Sequence, residues 1–202
     1  MSEMADALQA EMSRLGFVFF EKGSYNLNLI GLRSARDQSN LFDDTFTCSY
    51  KDDTGVWRCE RWPYTSDPGR KYLLEPMNPR GCSILCAGQN RGAYQLGTHR
   101  GKPGLVQVRP VTFWVDSDLD ETLDRQGTAR TGLIGLNIHR AGKDSPVVEA
   151  HSAGCQTFKR EDDFERLLDL VRKQIAKGPG WNSFSYTLID IGDNPNLSPL
   201  AL

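Results

Sequence analysis

The amino-acid sequence predicts a mainly β fold of the α+β class, with one helix ahead of the strands and a second packed on the sheet behind them. Short runs rich in β-branched and aromatic residues recur along the chain, broken every few positions by Gly, Pro, Asn or Asp. Only two segments, residues 3–15 and 162–177, carry apolar residues at helical spacing instead. A length of 202 residues suits one domain and is enough to bury a core.

In residues 3–15, Met4, Leu8, Met12 and Leu15 fall on one side and Gly16 stops the helix, a stripe suited to packing or to docking a partner. Residues 17–20 are a brief apolar run and residues 25–32 alternate in part, as a strand does; residues 34–44 are polar and read as loop. The clearest hairpin joins residues 45–50 to 56–62 through Lys51-Asp52-Asp53-Thr54-Gly55, where Asp and Gly supply the turn. Residues 83–86, 93–97, 104–108 and 110–115 are further short strands. In residues 162–177, Phe164, Leu167, Leu168, Val171 and Ile175 form an apolar stripe. Glu161, Asp162 and Asp163 suit its N-terminus, Lys173 and Lys177 its C-terminus, and Gly178-Pro179 ends it. Residues 181–189 alternate Phe184, Tyr186 and Leu188 as a last strand, and residues 192–202 read as an irregular tail. The whole is one domain over residues 1–202, with its core at about 45–160, and it carries no internal repeat.

The charge balance, 24 basic against 26 acidic residues, leaves no nucleic-acid footprint. No run is long enough to span a membrane, and the N-terminus lacks the basic-then-apolar order of a secretory signal, which predicts synthesis in the cytoplasm. With five cysteines, no CxxC pair and three histidines, neither a metal site nor a cofactor is expected. Cys48 and Cys59 flank the hairpin and Cys82 and Cys86 lie close in sequence, so two readings stay open: reduced thiols in strands, or structural disulfides after export. From Asp116 to Asp124 acids fall at alternate positions, as in the first half of a calcium loop. Glu121 stands where the turn glycine is wanted and Gly127 where the bidentate glutamate is wanted, so a solvated acidic loop is the first reading and a vestigial calcium site the second.

The chemistry concentrates between Gly132 and Phe158. Ile134, Leu136 and Ile138 alternate with Gly135, Asn137 and His139, which predicts a strand with an aliphatic core face and His139 facing out at its end. After twelve intervening residues comes Ser152-Ala153-Gly154-Cys155. A lone cysteine or histidine is most often a packed side chain; the ordered pair is what points to chemistry. A thiol near neutral pH is mostly protonated and needs a neighbour to take its proton, and histidine is the usual one, which predicts a thiol more reactive than an ordinary cysteine. Gly154 removes a side chain where substrate comes close and leaves N–H groups for an oxyanion; Ser152 orients the site or caps a turn.

His-x12-Ser-x-Gly-Cys resembles the signature of the L,D-transpeptidase (YkuD-like) catalytic family. The resemblance implies an L,D-transpeptidase-like β-sandwich, acylation of Cys155 by a peptidoglycan stem peptide, His139 as base, Ser152 as the motif serine and Gly154 on the oxyanion side. It extends loosely to Thr65-Ser66-Asp67-Pro68-Gly69, similar to a turn ahead of the family's catalytic region, and to residues 92–97, which resemble the segment crossing beneath its active site. His99, in the glycine-rich turn that follows, would line the groove there, as would Asn137 on the face of His139. The family's polar residue before the glycine is here Ala153, and its arginine two residues after the cysteine is here Thr157. Arg140 and His151, and beyond them Lys159 and Arg160, are the nearby candidates to read a substrate carboxylate, with Arg140 turned back to the groove where Gly142 and Pro146 end the strand.

The function so implied is a cysteine-dependent carboxypeptidase, endopeptidase or transpeptidase acting on peptidoglycan peptides, such as a phage lysin or delivered effector that other machinery carries to the wall. Two alternatives stand beside it: a virion or assembly component that keeps the fold without catalysis, and a cysteine amidase or acyltransferase acting on another amide.

Overall fold

The computed structural model describes residues 3–192 and Leu197. Helix α1 (Glu3–Arg14) precedes strands β1 (Asn28–Arg33), β2 (Asp44–Lys51) and β3 (Trp57–Thr65). A short helix α2 (Arg70–Leu74) leads into β4 (Cys82–Leu85), β5 (Gly88–His99), β6 (Lys102–Gln107), β7 (Val111–Asp116), β8 (Arg130–Gly132) and β9 (Ile138–Arg140). A 3-10 turn at Glu149–His151 then precedes β10 (Gln156–Phe158), α3 (Glu161–Ala176) and β11 (Ser183–Asp190).

The fold is mainly β, as the sequence predicts. Where a sandwich is expected, however, eight strands close into a barrel in the order β1-β11-β5-β6-β9-β10-β3-β2, and β4, β7 and β8 form a separate three-stranded sheet in the order β4-β7-β8. Closure follows from β1 pairing on both sides, parallel with β11 and antiparallel with β2, and from β9 pairing with β6 at Leu105↔Ile138 and with β10 in parallel. The sheet therefore reaches well outside residues 45–160, because β1 and β11 are two of its staves.

Burial explains why β1 reads as an almost unbroken apolar run. Leu29 faces the barrel core, while Ile30 and Leu32 face Leu8 and Met12 of α1 together with Ile189. The stripe of α1 is thus spent on packing within the molecule. The barrel core is aromatic: Phe46 lies 5.3 Å from Tyr64, 4.7 Å from Phe158 and 5.6 Å from Tyr186 between ring centroids. Helix α3 brings Phe164, Leu167, Leu168 and Val171 into the same cluster, with Phe164 5.2 Å from Phe158, so it backs the strand that follows Cys155. The irregular tail expected from residue 192 lies outside the described residues apart from Gly192 and Leu197, the latter buried beside α1.

All five cysteines are free. The register sets Cys48 opposite Glu60, so Cys48 points into the barrel while Cys59 packs on the α1 side. Cys82 and Cys86 lie four steps apart along extended chain, roughly 13 Å, too far for a bridge. The acidic loop turns its carboxylates on its own backbone: Asp116 accepts from Asp124 N–H at 3.0 Å, Asp118 from Asp120 at 3.3 Å and Asp120 from Thr122 at 2.6 Å. Among the described residues no three metal-ligating side chains converge.

A buried polar network underlies the Cys155 loop. The fully buried Arg33 donates to Ser66 Oγ at 2.8 Å and Leu85 O at 2.6 Å and lies 3.5 Å from Asp67 and 3.2 Å from Asp190. Asp44 accepts from Ser34 N–H, Ser66 N–H and Ser66 Oγ–H. Tyr64 and Tyr186 share a hydrogen bond of 3.0 Å between hydroxyls, Tyr186 donates to Gln156 at 2.8 Å, and Gln156 donates to Ser66 O at 3.2 Å. The Thr65–Gly69 turn, resembling the family's only loosely, is where this network meets the site: Gly69 N–H donates to Ser152 O at 2.9 Å. A Cβ at Gly69 would fall inside van der Waals contact of Glu149 O.

Candidate active site

Alternation predicts a strand across residues 134–139, but only Ile138–Arg140 is strand. Leu136 and Ile138 are buried as expected, whereas Ile134 is 44 % exposed and Gly135 takes φ +80°. Gln107, at the end of β6, holds the loop: its Oε1 accepts from the N–H groups of Ile134, Gly135 and Leu136 at 3.2, 2.8 and 3.0 Å. Its Nε2 donates to Arg109 O and Gly132 O, both at 2.9 Å. One amide side chain thus does the work of a ladder for five backbone groups.

Beyond the loop, β9 runs parallel to β10 with His139 opposite Thr157. Ile138 and Phe158 point into the barrel, so His139 and Thr157 share the outer face, and Cys155, two residues before Thr157, extends it. The expectation that His139 faces outward thus holds for its side of the sheet, although only 8 % of it is exposed.

The hydrogen bonds fix the histidine's form. His139 Nδ1 lies 2.8 Å from Arg140 O, which can only accept, so Nδ1 carries the proton and Nε2 carries the lone pair. Nε2 sits 3.4 Å from Thr157 Oγ1, whose own proton goes to Cys155 O at 3.2 Å. Burial pushes the His139 pKa down to about 4 against the pull of Arg140 O, so the ring is neutral at physiological pH. His99 stacks on it at 4.5 Å and 22°, and its Nδ1 accepts from Asn137 Nδ2 at 2.9 Å; Asn137 Oδ1 in turn accepts from Gln107 N–H at 2.8 Å.

Cys155 is also buried, 8 % exposed, and donates from Sγ to Gly135 O at 3.5 Å. Burial pushes its thiol up to about 11, with the Asn137 N–H and the Arg100 charge pulling weakly back. Among the described residues no hydrogen bond joins Sγ to His139. Desolvation thus favours the neutral thiol and the neutral imidazole alike in the resting site. Ser152 caps the turn: its Oγ accepts from Gly154 N–H at 3.1 Å and donates to Cys155 O at 2.9 Å. That bond occupies the Gly154 N–H expected to serve an oxyanion. Gly154 itself, at φ +107°, is required by the Ser83 carbonyl of β4, which leaves no room for a Cβ.

Two cavities meet at His99 and Arg100, which line both. One, about 490 Å³, opens beside Cys155; the other, about 260 Å³, opens beside His139.

No family model, curated protein or solved structure matches this chain.

Of the residues singled out in the sequence, Cys155, His139, Ser152, Gly154, Asn137 and His99 converge on this face. Arg140 and His151 line the His139 cavity; Arg140 is paired with Glu161 at 2.7 Å, and His151 Nε2 lies 3.4 Å from Ser145 Oγ. Lys159 and Arg160 line neither cavity, and Arg160 lies 4.0 Å from Asp163. Two contributors, Gln107 and Arg100, escaped the sequence reading. Gln107 leaves no local signal, whereas Arg100 directly follows His99 in its glycine-flanked turn.

Proposed function

We propose that the chain is a cysteine hydrolase or transferase of the L,D-transpeptidase type, forming a thioester between Cys155 and a peptidoglycan stem peptide, in the manner of a phage lysin or delivered effector. One observation carries this reading: Cys155 immediately precedes β10, the strand that runs parallel to His139 on β9, with the His139 tautomer fixed so that Nε2 can accept a proton. The thiol leaves Gly135 O and gives its proton to Nε2 as sulfur attacks the carbonyl carbon. Because burial disfavours the imidazolium, His139 passes that proton readily to the leaving amine. The Cys155 N–H, which no described group accepts, is the amide left for the developing oxyanion. Water then releases the acyl group in a carboxypeptidase or endopeptidase, and an amine releases it in a transpeptidase.

Incubation of the purified protein with muropeptides, followed by mass analysis, tests this. The expected result is a shortened or cross-linked peptide and a thioester adduct on Cys155, both lost in Cys155→Ala. The raised thiol pKa favours a second reading, a binding protein that keeps the fold without turnover. It predicts retention of muropeptides with no adduct and no product, in the wild type and in Cys155→Ala alike.

A further inference from the structure

We propose that the two cavities flanking Cys155 and His139 form one cationic groove that selects an anionic acyl substrate, with Arg100 reading a carboxylate beside the scissile bond. The inference rests on the assignment of Cys155 as nucleophile and specifies what it acts on. Arg80, Arg100 and Arg130 line the lobe that holds Cys155; Arg100 and Lys102 line the lobe that holds His139. Neither lobe is lined by an Asp or Glu among the described residues. This one-sidedness stands out in a chain with 26 acids to 24 bases. Several arginines outside the two lobes are engaged with carboxylates, as Arg33, Arg58, Arg125 and Arg166 are, and in the His139 lobe Arg140 is held by Glu161. Arg80, Arg100, Lys102 and Arg130 have no such partner among the described residues. A concave wall of one sign raises the local concentration of a ligand of the other.

Arg100 is the best placed of the four. It occupies the two-residue turn joining β5 to β6, between His99 and Lys102, which pair with each other. Arg100 takes φ +48° and Gly101 φ +77°, the hairpin geometry that Asn, Asp or Gly adopts most readily. An arginine there accepts a backbone cost at a position that, with His99, lines both lobes. Its charge reaches the reacting groups, favouring the Cys155 thiolate and disfavouring the His139 imidazolium. A guanidinium offers the planar fork that a carboxylate accepts, which Thr157 lacks and Arg140, held by Glu161, has already spent. An acidic peptide is favoured over a longer polyanion because the cations flank a buried thiol in two short lobes instead of forming an extended stripe.

The test needs no turnover, so it fails separately from the peptidoglycan assignment. Cys155 is alkylated with iodoacetate and with iodoacetamide, its thiolate displacing iodide in each case, and the two rates are read at this residue by peptide mapping. The wild type should prefer the anionic reagent over the neutral one by about threefold to fivefold relative to glutathione, the scale of one exposed charge pair. High salt should erase the preference. Arg100→Gln should erase it too; any change in thiol pKa acts on both reagents and cancels in the ratio. Glutaryl dipeptides should protect the wild-type thiol from iodoacetamide, and less so in Arg80→Gln/Arg130→Gln. A ratio equal to that of glutathione, or one unmoved by salt and by Arg100→Gln, overturns the proposal, as does protection by a short oligonucleotide that exceeds protection by the dipeptides.

Discussion

At the scale of the residue, the informative feature is that burial pushes both members of the pair toward neutrality. A free thiol titrates near about 8.5 and a free imidazole near about 6.5; here they are moved to about 11 and about 4. The resting site therefore stores a proton on sulfur and a lone pair on Nε2, and transfer between them has to accompany attack. The alkylation rate of Cys155 by iodoacetamide should accordingly climb with pH well past the range of an ordinary thiol. His139→Gln should leave that midpoint near its place while lowering turnover of muropeptides by roughly two to four orders of magnitude, the usual contribution of a general base. A midpoint at or below that of glutathione would show an ion pair instead. Residue types and spacing made Cys155, His139 and Ser152 readable from sequence; their protonation was not, because desolvation depends on what covers them.

At the scale of the element, legibility followed the range of the decisive interaction. The β2–β3 hairpin and helices α1 and α3 were readable because turn chemistry and helical periodicity are local. The segment 133–137 was misread because its alternation suits a strand, while the group that decides its path, Gln107, lies 25 to 29 residues upstream of the groups it binds. Gln107→Leu keeps the volume and removes every one of its side-chain bonds. The amides of Ile134, Gly135 and Leu136 should then lose their protection from hydrogen exchange, and Cys155, deprived of the Gly135 carbonyl at a fixed place, should lose turnover without global unfolding. Persistent protection at those three amides would mean that the loop holds itself.

At the scale of the whole molecule, barrel closure rests on parallel pairings that no local pattern encodes: β1 with β11 joins strands from near the two ends of the described chain, and β9 with β10 brings His139 beside the strand that Cys155 leads into. The polar network beneath that face is equally nonlocal, and its charge sets how stability depends on pH. Burial, with repulsion from Asp67, raises Asp44 to about 7, above an unfolded value near about 3.9. Its contribution is therefore full below the unfolded value and is lost as pH rises through the folded one. His139 does the reverse: its folded value of about 4 lies below the unfolded one of about 6.5, so its contribution is present above the unfolded value and is lost as pH falls through the folded one. Between about pH 4 and pH 6.5 the folded state keeps a proton on Asp44 that the unfolded chain releases, and lacks one on His139 that the unfolded chain holds. The two slopes, each at most about 1.4 kcal/mol per pH unit, oppose each other. Urea midpoints of the wild type should consequently change little across this window. Asp44→Asn should expose a midpoint that rises with pH, and His139→Gln one that falls. If both variants slope the same way as the wild type, the two buried groups do not govern the titration of the fold.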